Sequence, residues 1–326
     1  MWRKNQVVLD GLRINSFDLL IVKENEIYHV PVLLEESLEA LNIKADGVYV
    51  DVTFGGGGHS KAILERLGDK GRLIGFDQDA DALENVLDDK RFQMAHSNYR
   101  YLKQFLRLYG HLQVDGILAD LGVSSHQFDA SERGFTFRQE TPLDMRMNQN
   151  GSKSAIDILN TYSQVELQTL LSKYGEVRNA RTVASAIVQG RSIRPIQTSG
   201  QLLQVLGPHI RGNRNRYLAQ VFQALRIEVN DEVEALKALL QEAVQVLKPE
   251  GRLAVISYHS LEDRLVKRFF KTGNFEGVVE KDFYGAVIKP LKEIARKPIT
   301  PSDKEIERNA RARSAKMRVA EKLFIS

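Results

Sequence analysis

Residues 51 to 59 of this chain read Asp-Val-Thr-Phe-Gly-Gly-Gly-Gly-His. The four glycines follow an apolar run, Val48-Tyr49-Val50, and precede a helix-like run from Ser60 to Leu67. A strand that passes over glycines into a helix calls for an α/β layer in which a ligand lies directly against backbone. Glycine permits that approach because it lacks a Cβ and tolerates positive φ. A second strand-like run, Arg72–Phe76, ends in Asp77, 20 residues beyond Gly57. Dinucleotide-type folds place the carboxylate that grips a ribose at about that interval. The third glycine of the nicotinamide pattern G-x-G-x-x-G is Ser60 here, and the loop opens with an acid, Asp51. S-adenosylmethionine (SAM) suits such a loop. It offers a ribose, has no pyrophosphate that needs a helix N-terminus, and carries a charged methionine end that Asp51 could orient. This segment alone leaves SAM and other nucleotides open.

From Tyr28 to Asp120 strands and helices alternate. Strands are expected near 48–53, 72–76, 92–95 and 114–119, and helices near 31–41, 59–67, 79–88 and 99–109. Such alternation predicts a parallel sheet covered on both faces, with ligands at the carboxyl ends of its strands. Asp51, Asp77 and Asp120 then face one crevice. The alternation stops after residue 120: residues 121–154 read as loop, residues 155–216 as short helices, and 219–247 as one long helix ended by Pro249 and Gly251. A fifth strand, Arg252–Ser257, resumes the sheet, and the tail supplies edge strands such as Ala315–Leu323. The expected fold is a Rossmann-like α/β sheet with an inserted all-helical domain. Its parts are an extension over 1–26, a first sheet segment over 27–125, a helical insert over 126–216, and a second sheet segment over 217–326.

Charge is unevenly spread. The 326 residues carry a formal net charge of +4. From Val177 to Ile227 there are eight arginines, including Arg178, Arg181, Arg191, Arg194, Arg214 and Arg216, and no Asp, Glu or Lys. A second basic group near the C-terminus includes Arg311 and Arg313. Arginine without lysine suits bidentate grips on phosphate and stacking on bases, so both groups are candidate RNA contacts. The chain has no cysteine. That excludes disulfides, thiolate metal sites and the thiolate attack that methylation at cytosine C5 requires, and it accords with a reducing cytoplasm. No apolar run reaches 18 residues, so no membrane span is expected.

Leu118-Ala-Asp-Leu-Gly-Val-Ser-Ser125 closes the fourth strand. Methylation of an exocyclic base amine benefits from an acceptor that holds the amine N–H and frees its lone pair. Asp120 is placed to do this, or to bind the cofactor. Ser257-Tyr-His-Ser-Leu-Glu-Asp-Arg264 follows the fifth strand, where His259 could meet substrate or accept a proton, and Ser260 with Asp263 reads as a helix N-cap with an acidic third position. Phe135 and Phe137 could stack on an extruded base or anchor their loop to the core. Asp144 and Arg146 could pair with each other or grip RNA.

These motifs, with His29–Leu34, Arg133–Phe137, Pro142–Met147, Lys173–Glu176, Phe222–Ile227 and Arg311–Lys316, run in order from about residue 28 to the end. Together they resemble the bacterial small-subunit rRNA cytosine-N4 methyltransferase family. The resemblance implies SAM-dependent methylation of the N4 amino group of one cytidine in the decoding region of 16S rRNA. It implies cofactor contacts at Gly57, Gly58, His59, Asp77, Tyr99, Asp120 and Gln127, a small ribosomal subunit as partner, a cytoplasmic setting, and no metal for the chemistry. Catalytic roles are expected at Asp120 and His259. Two positions depart from the family pattern: His126 stands where proline is common, and Arg216–Val221 replaces a His-Pro-Ala-Thr-Arg type of sequence. The alternatives are another acceptor (a ribose hydroxyl, DNA or protein) and a non-catalytic RNA-binding assembly factor. Monomer and homodimer are both open.

Overall fold

The computed structural model describes residues 31–285 and 287–324. The N-terminal extension and the first two residues of the motif from His29 lie outside them. In chain order the elements are α1 (Leu34–Leu41), β1 (Val48–Asp51), α2 (Gly58–Arg66), β2 (Arg72–Asp77), β3 (Phe92–His96), α3 (Leu102–Leu108), β4 (Val114–Asp120) and α4 (Ser125–Asp129). Four helices follow, α5 (Ala155–Thr161), α6 (Gln164–Lys173), α7 (Ala180–Ile193) and α8 (Ser199–Leu206). The chain continues with α9 (Arg214–Asn230), α10 (Glu232–Val246), β5 (Leu247–Ser257), α11 (Ser260–Thr272), β6 (Leu291–Glu293), α12 (Asp303–Arg308) and β7 (Lys316–Lys322).

Among the described residues the strands form one seven-stranded sheet in the order β3-β2-β1-β4-β5-β7-β6. β1 to β5 run parallel, and β7 is antiparallel to both β5 and β6. Alternate residues of each strand enter opposite cores, because strand side chains point to opposite faces with a period of two. Val50, Ile74, Ile117 and Val255 join α3, α10 and α11 on one face, through Leu102, Leu106, Leu239 and Phe270. Tyr49, Leu73, Leu118 and Ile256 join α1 and α2 on the other, through Leu38, Leu41, Ile63 and Leu64. Burial on both faces accounts for the nearly unbroken apolar runs of β2 and β4. The chain leaves β1 toward β2 on one side and returns to β4 on the other, which opens a crevice at their carboxyl ends.

Helices α5 to α9 share a third core, built on Leu143, Ile158, Leu170, Val183, Leu202, Leu218 and Leu225. Three of them start at reciprocal capping boxes: Ser154 with Asp157, Ser163 with Glu166, and Thr198 with Gln201. Each box satisfies two backbone donors that a helix start otherwise leaves free. The third core reaches Leu225, well into α9, so the helical segment read over 126–216 shares its interior with the helix that returns the chain to the sheet.

Several local expectations need correction. The single helix expected over 219–247 is two, broken at Asp231 in the left-handed region (φ 50, ψ 39). No glycine or proline signals the break. Tertiary bonds hold it instead: Asn230 Nδ2 donates to Met145 O at 2.8 Å, Asn230 Oδ1 accepts from Met147 N at 2.7 Å, and Arg226 grips Glu232 across the break at 2.8 and 2.9 Å. The helix expected over 79–88 is a short 3-10 turn, Ala80–Asn85, capped by Asp79. The fifth strand begins at Leu247 rather than Arg252, and a register shift opposite Val114 and Gly116 lets Pro249 and Gly251 sit within it. The strand expected over 315–323 as an edge is interior, and β6 covers its outer side. The N-cap of α11 is His259 rather than Ser260, and the acid at its third position is Glu262.

Candidate active site at the carboxyl ends of the strands

Adjacent strands β2, β1 and β4 end in Asp77, Asp51 and Asp120, which gathers three carboxylates at one crevice. Asp51 is fully buried. Its Oδ2 accepts from Ser60 Oγ at 2.7 Å and its Oδ1 from Thr53 N at 3.2 Å. Thr53 Oγ1 in turn accepts the backbone N–H of Asp120 at 2.6 Å, so β1 and β4 are tied together where the acids emerge. Asp51 is therefore committed to shaping the loop. Asp77 accepts from Gly55 N and Asp79 N, both at 2.9 Å, and stays half-exposed. Burial pushes Asp51, Asp77 and Asp120 up to about 6 against these hydrogen bonds.

The glycine loop shows why glycine is needed. Gly57 has φ +74, and a Cβ there would lie 2.9 Å from the Phe54 ring. A Cβ on Gly58 would strike Pro31 at 2.4 Å. Gly56 differs: it is exposed, and a Cβ there would meet nothing within 4 Å. The loop thus packs tightly beneath and presents bare backbone above, beside the half-exposed Asp77. That surface fits a ribose-bearing ligand laid along the loop.

His59 is buried behind the loop. Its Nε2 lies 3.1 Å from Val32 O and its Nδ1 lies 3.9 Å from Asp120 Oδ2. Burial lowers its pKa against the pull of Asp120, so the ring is neutral near pH 7. Asp120 Oδ1 accepts the hydroxyl of Tyr258 at 2.8 Å. Gln127 caps α4 with Ser124 and donates its Nε2 to Asp79 at 2.5 Å. Tyr99 packs half-buried against the sheet core and lines a cavity of about 30 Å³ with Gln78, Asn98, Glu232 and Glu262. A larger hollow of about 430 Å³, lined by Arg72, Phe92, Tyr109 and His111, lies at the opposite, amino-terminal ends of β2 and β3.

Two residues that the sequence reading gave no role complete the crevice wall. Asp79 and Arg133 are buried at 3% and 6% exposure and paired at 2.8 Å, with Arg133 also donating to Asp81 and to the carbonyls of Arg146 and Met147. This ion pair fastens the loop before the helical segment to the turn after β2. An acid two residues beyond Asp77 was the only available signal, and nothing in the sequence named its partner.

The His259 side chain is about 10% exposed. Its Nδ1 caps α11, and its Nε2 is buried without a hydrogen bond, 3.2 Å from Glu262 Oε1. Glu232, His259 and Glu262 each bring a potential ligand atom within 4.8 Å of the others. Arg226 already supplies a counter-charge by forking onto both oxygens of Glu232. His259 organises the start of α11 through its Nδ1.

Asp144 and Arg146 pair with each other at 2.7 Å. Phe135 is buried and Phe137 packs edge-on against Phe222, so both anchor their loop to the helical core. The expected basic face divides. Arg178, Arg181, Arg194, Arg214 and Arg216 are exposed, whereas Arg191 donates to Leu159 O at 2.7 Å and is partly covered. In the C-terminal group Arg313 is exposed, but Arg311 forks onto Asp129 at 2.5 and 3.3 Å over the ring of Phe128.

Comparison with known proteins agrees with this geometry. The model of the MraW methylase family matches residues 26–323. The chain belongs to that family. It is 55% identical over 303 residues to the ribosomal RNA small subunit methyltransferase H of Parabacteroides distasonis, covering 92% of this chain and 99% of that protein. It is 56% identical over 301 residues to the enzyme of the same name from Bacteroides thetaiotaomicron, again covering 92% and 99%. The family member described here is a methyltransferase that takes its methyl group from SAM.

Proposed function

We propose that this protein methylates the N4 amino group of a cytidine in the decoding region of 16S rRNA, as part of small-subunit maturation in the cytoplasm. The observation that carries the reading is the partly exposed Asp120 carboxylate at the end of β4 in a methylase fold, with Oδ1 accepting from Tyr258 and Oδ2 left 3.9 Å from His59 Nδ1. An exocyclic amine conjugated with its ring is a poor nucleophile. A carboxylate that accepts one of its N–H bonds localises the lone pair and aims it.

Gly57, Gly58 and His59 form the loop along which the cofactor lies, Asp77 is offered to its ribose, and Tyr99 and Gln127 bound the far side. SAM supplies an activated methyl group on sulfonium. The chain's own residues do the rest. Asp120 orients the amine and takes its proton, and the Asp79–Arg133 pair keeps the crevice wall in place. Positioning contributes most of the acceleration, since no covalent intermediate is needed. The exposed arginines of α7 and α9, with Arg178, Arg313 and, on release from Asp129, Arg311, hold rRNA backbone. The strand-end motifs Asp51–His59, Leu118–Ser125 and Ser257–Arg264 contain no lysine to activate a ribose hydroxyl, which favours a base over a ribose as acceptor.

Replacing Asp77 with Ala tests this division of labour. SAM binding should weaken at least tenfold while affinity for rRNA stays within about twofold, because a lost charged hydrogen bond costs roughly 1.5–3 kcal/mol and the hydrogen bonds of Asp77 run to Gly55 and Asp79 rather than to an arginine. Equal loss of both affinities would contradict it.

A further inference from the structure

Asp120 has two oxygens in different surroundings. Oδ1 is occupied by the Tyr258 hydroxyl at 2.8 Å. Oδ2 faces His59 Nδ1 at 3.9 Å, about an ångström beyond hydrogen-bond reach. The state of that ring nitrogen follows from its neighbours. Val32 O, 3.1 Å from Nε2, can only accept, so Nε2 carries the ring proton and Nδ1 carries the lone pair. The lone pair points at a carboxylate, an arrangement with no favourable contact until the carboxyl is protonated.

We propose that Tyr258 and His59 divide the oxygens of Asp120 between them: Tyr258 is a positioning residue that aims Oδ2 at the acceptor amine, and His59 Nδ1 accepts the hydrogen bond of the carboxylic acid formed when the amine's proton arrives. The proposal rests on the reading of the acceptor as an amine. As the N–C bond forms at the expense of the S–C bond, whose electrons stay on sulfur, the proton leaves nitrogen for Oδ2. The new O–H turns to Nδ1, and solvent takes the proton after the product departs. The groups facing Asp120 from every packed element are Asp51 of β1, His59 of α2, Tyr258 after β5 and Glu262 of α11. Burial, with the two acids beside it, raises its proton affinity, while the hydrogen bond from Tyr258 lowers it. Burial and the Asp120 charge keep the Tyr258 phenol itself protonated, so it serves only as a donor.

Two variants at position 258 move the system in opposite directions. Tyr258→Phe removes the hydrogen bond that lowers Asp120, so the acidic limb of the kcat profile should move to higher pH, with kcat at pH 7 falling about five- to twentyfold as aim is lost. Site-specific 3,5-difluorotyrosine at position 258 strengthens the donor and should move the limb to lower pH. SAM affinity should stay close to that of the unaltered protein in both. Acidic limbs that superimpose on the unaltered protein's in both variants would overturn the assignment, whatever happens to kcat. Substrates are small subunits lacking the modification, and the product nucleoside is identified in each case. If the unaltered protein places its methyl elsewhere than on cytosine N4, the functional reading fails. If it methylates N4 and the limbs do not move, only the role of Tyr258 and His59 fails.

Discussion

Asp51 shows how this site trades stability for function. Its folded carboxyl is raised to about 6 by burial, above the ordinary aspartate value of about 3.9. A raised acid contributes stability that is present below the unfolded value and is lost as pH rises through the folded one. Asp51 should therefore weaken the free protein by on the order of 3 kcal/mol between about pH 4 and pH 6. Asp51→Asn should flatten that part of the urea-midpoint profile, leaving the free protein at pH 7.5 as stable or more so, while SAM binding weakens. A steeper profile in the variant would show that the charge stabilises the fold. The same linkage governs the cofactor. With Asp51, Asp77 and Asp120 all near 6, affinity for a sulfonium ligand should fall as pH drops from 7.5 to 5.5, with proton release on binding measurable by calorimetry in buffers of different ionisation enthalpy. Asp79 is the opposite kind of residue. Removing it leaves the buried Arg133 with Asp81 as its remaining carboxylate partner, so Asp79→Ala should cost up to about 3 kcal/mol, read as a drop in the urea midpoint.

At the level of elements, the glycine loop and the arginine helices make separable claims. Gly56→Ala adds a methyl that no protein atom within 4 Å opposes, so stability should hold within about 1 kcal/mol while SAM affinity falls tenfold or more. Unchanged affinity would put the cofactor on the other side of the loop. Among the arginines, Arg194→Ala should lower the salt dependence of RNA binding by roughly 0.7 in log–log slope on single strands. Arg191→Ala should instead loosen the packing of α7 on α5, because its guanidinium bonds Leu159 O. From sequence the two look alike. Spacing put both on one helix end, but which guanidinium turns inward depends on a carbonyl 32 residues away. The break at Asp231 was illegible for a related reason: a non-glycine residue holds the left-handed conformation there because Asn230 and Glu232 are tied to other elements. The glycine loop and the strand-end acids were legible because their chemistry is local: strand, turn and helix are contiguous, and each acid ends its own strand.

For the whole molecule, alternation of strand and helix sufficed to foretell a mostly parallel sheet, since apolar runs buried on both faces admit little else. It did not foretell that β7 lies inside β6, because strand order is set by which edge the tail reaches and not by its composition. The crevice stands where the order reverses between β1 and β4. The loop before the helical segment is fastened to the turn after β2 through Arg133, which pairs with Asp79 and Asp81, and through Gln127, which donates to Asp79. The central claim is that this assembly delivers a methyl group to one base amine. The direct measurement incubates the protein with labelled SAM and small ribosomal subunits from cells lacking the modification, then digests the rRNA and identifies the labelled nucleoside. N4-methylcytidine at a single site in the decoding region is the predicted result. Label on a ribose, on another base or at many sites would contradict it.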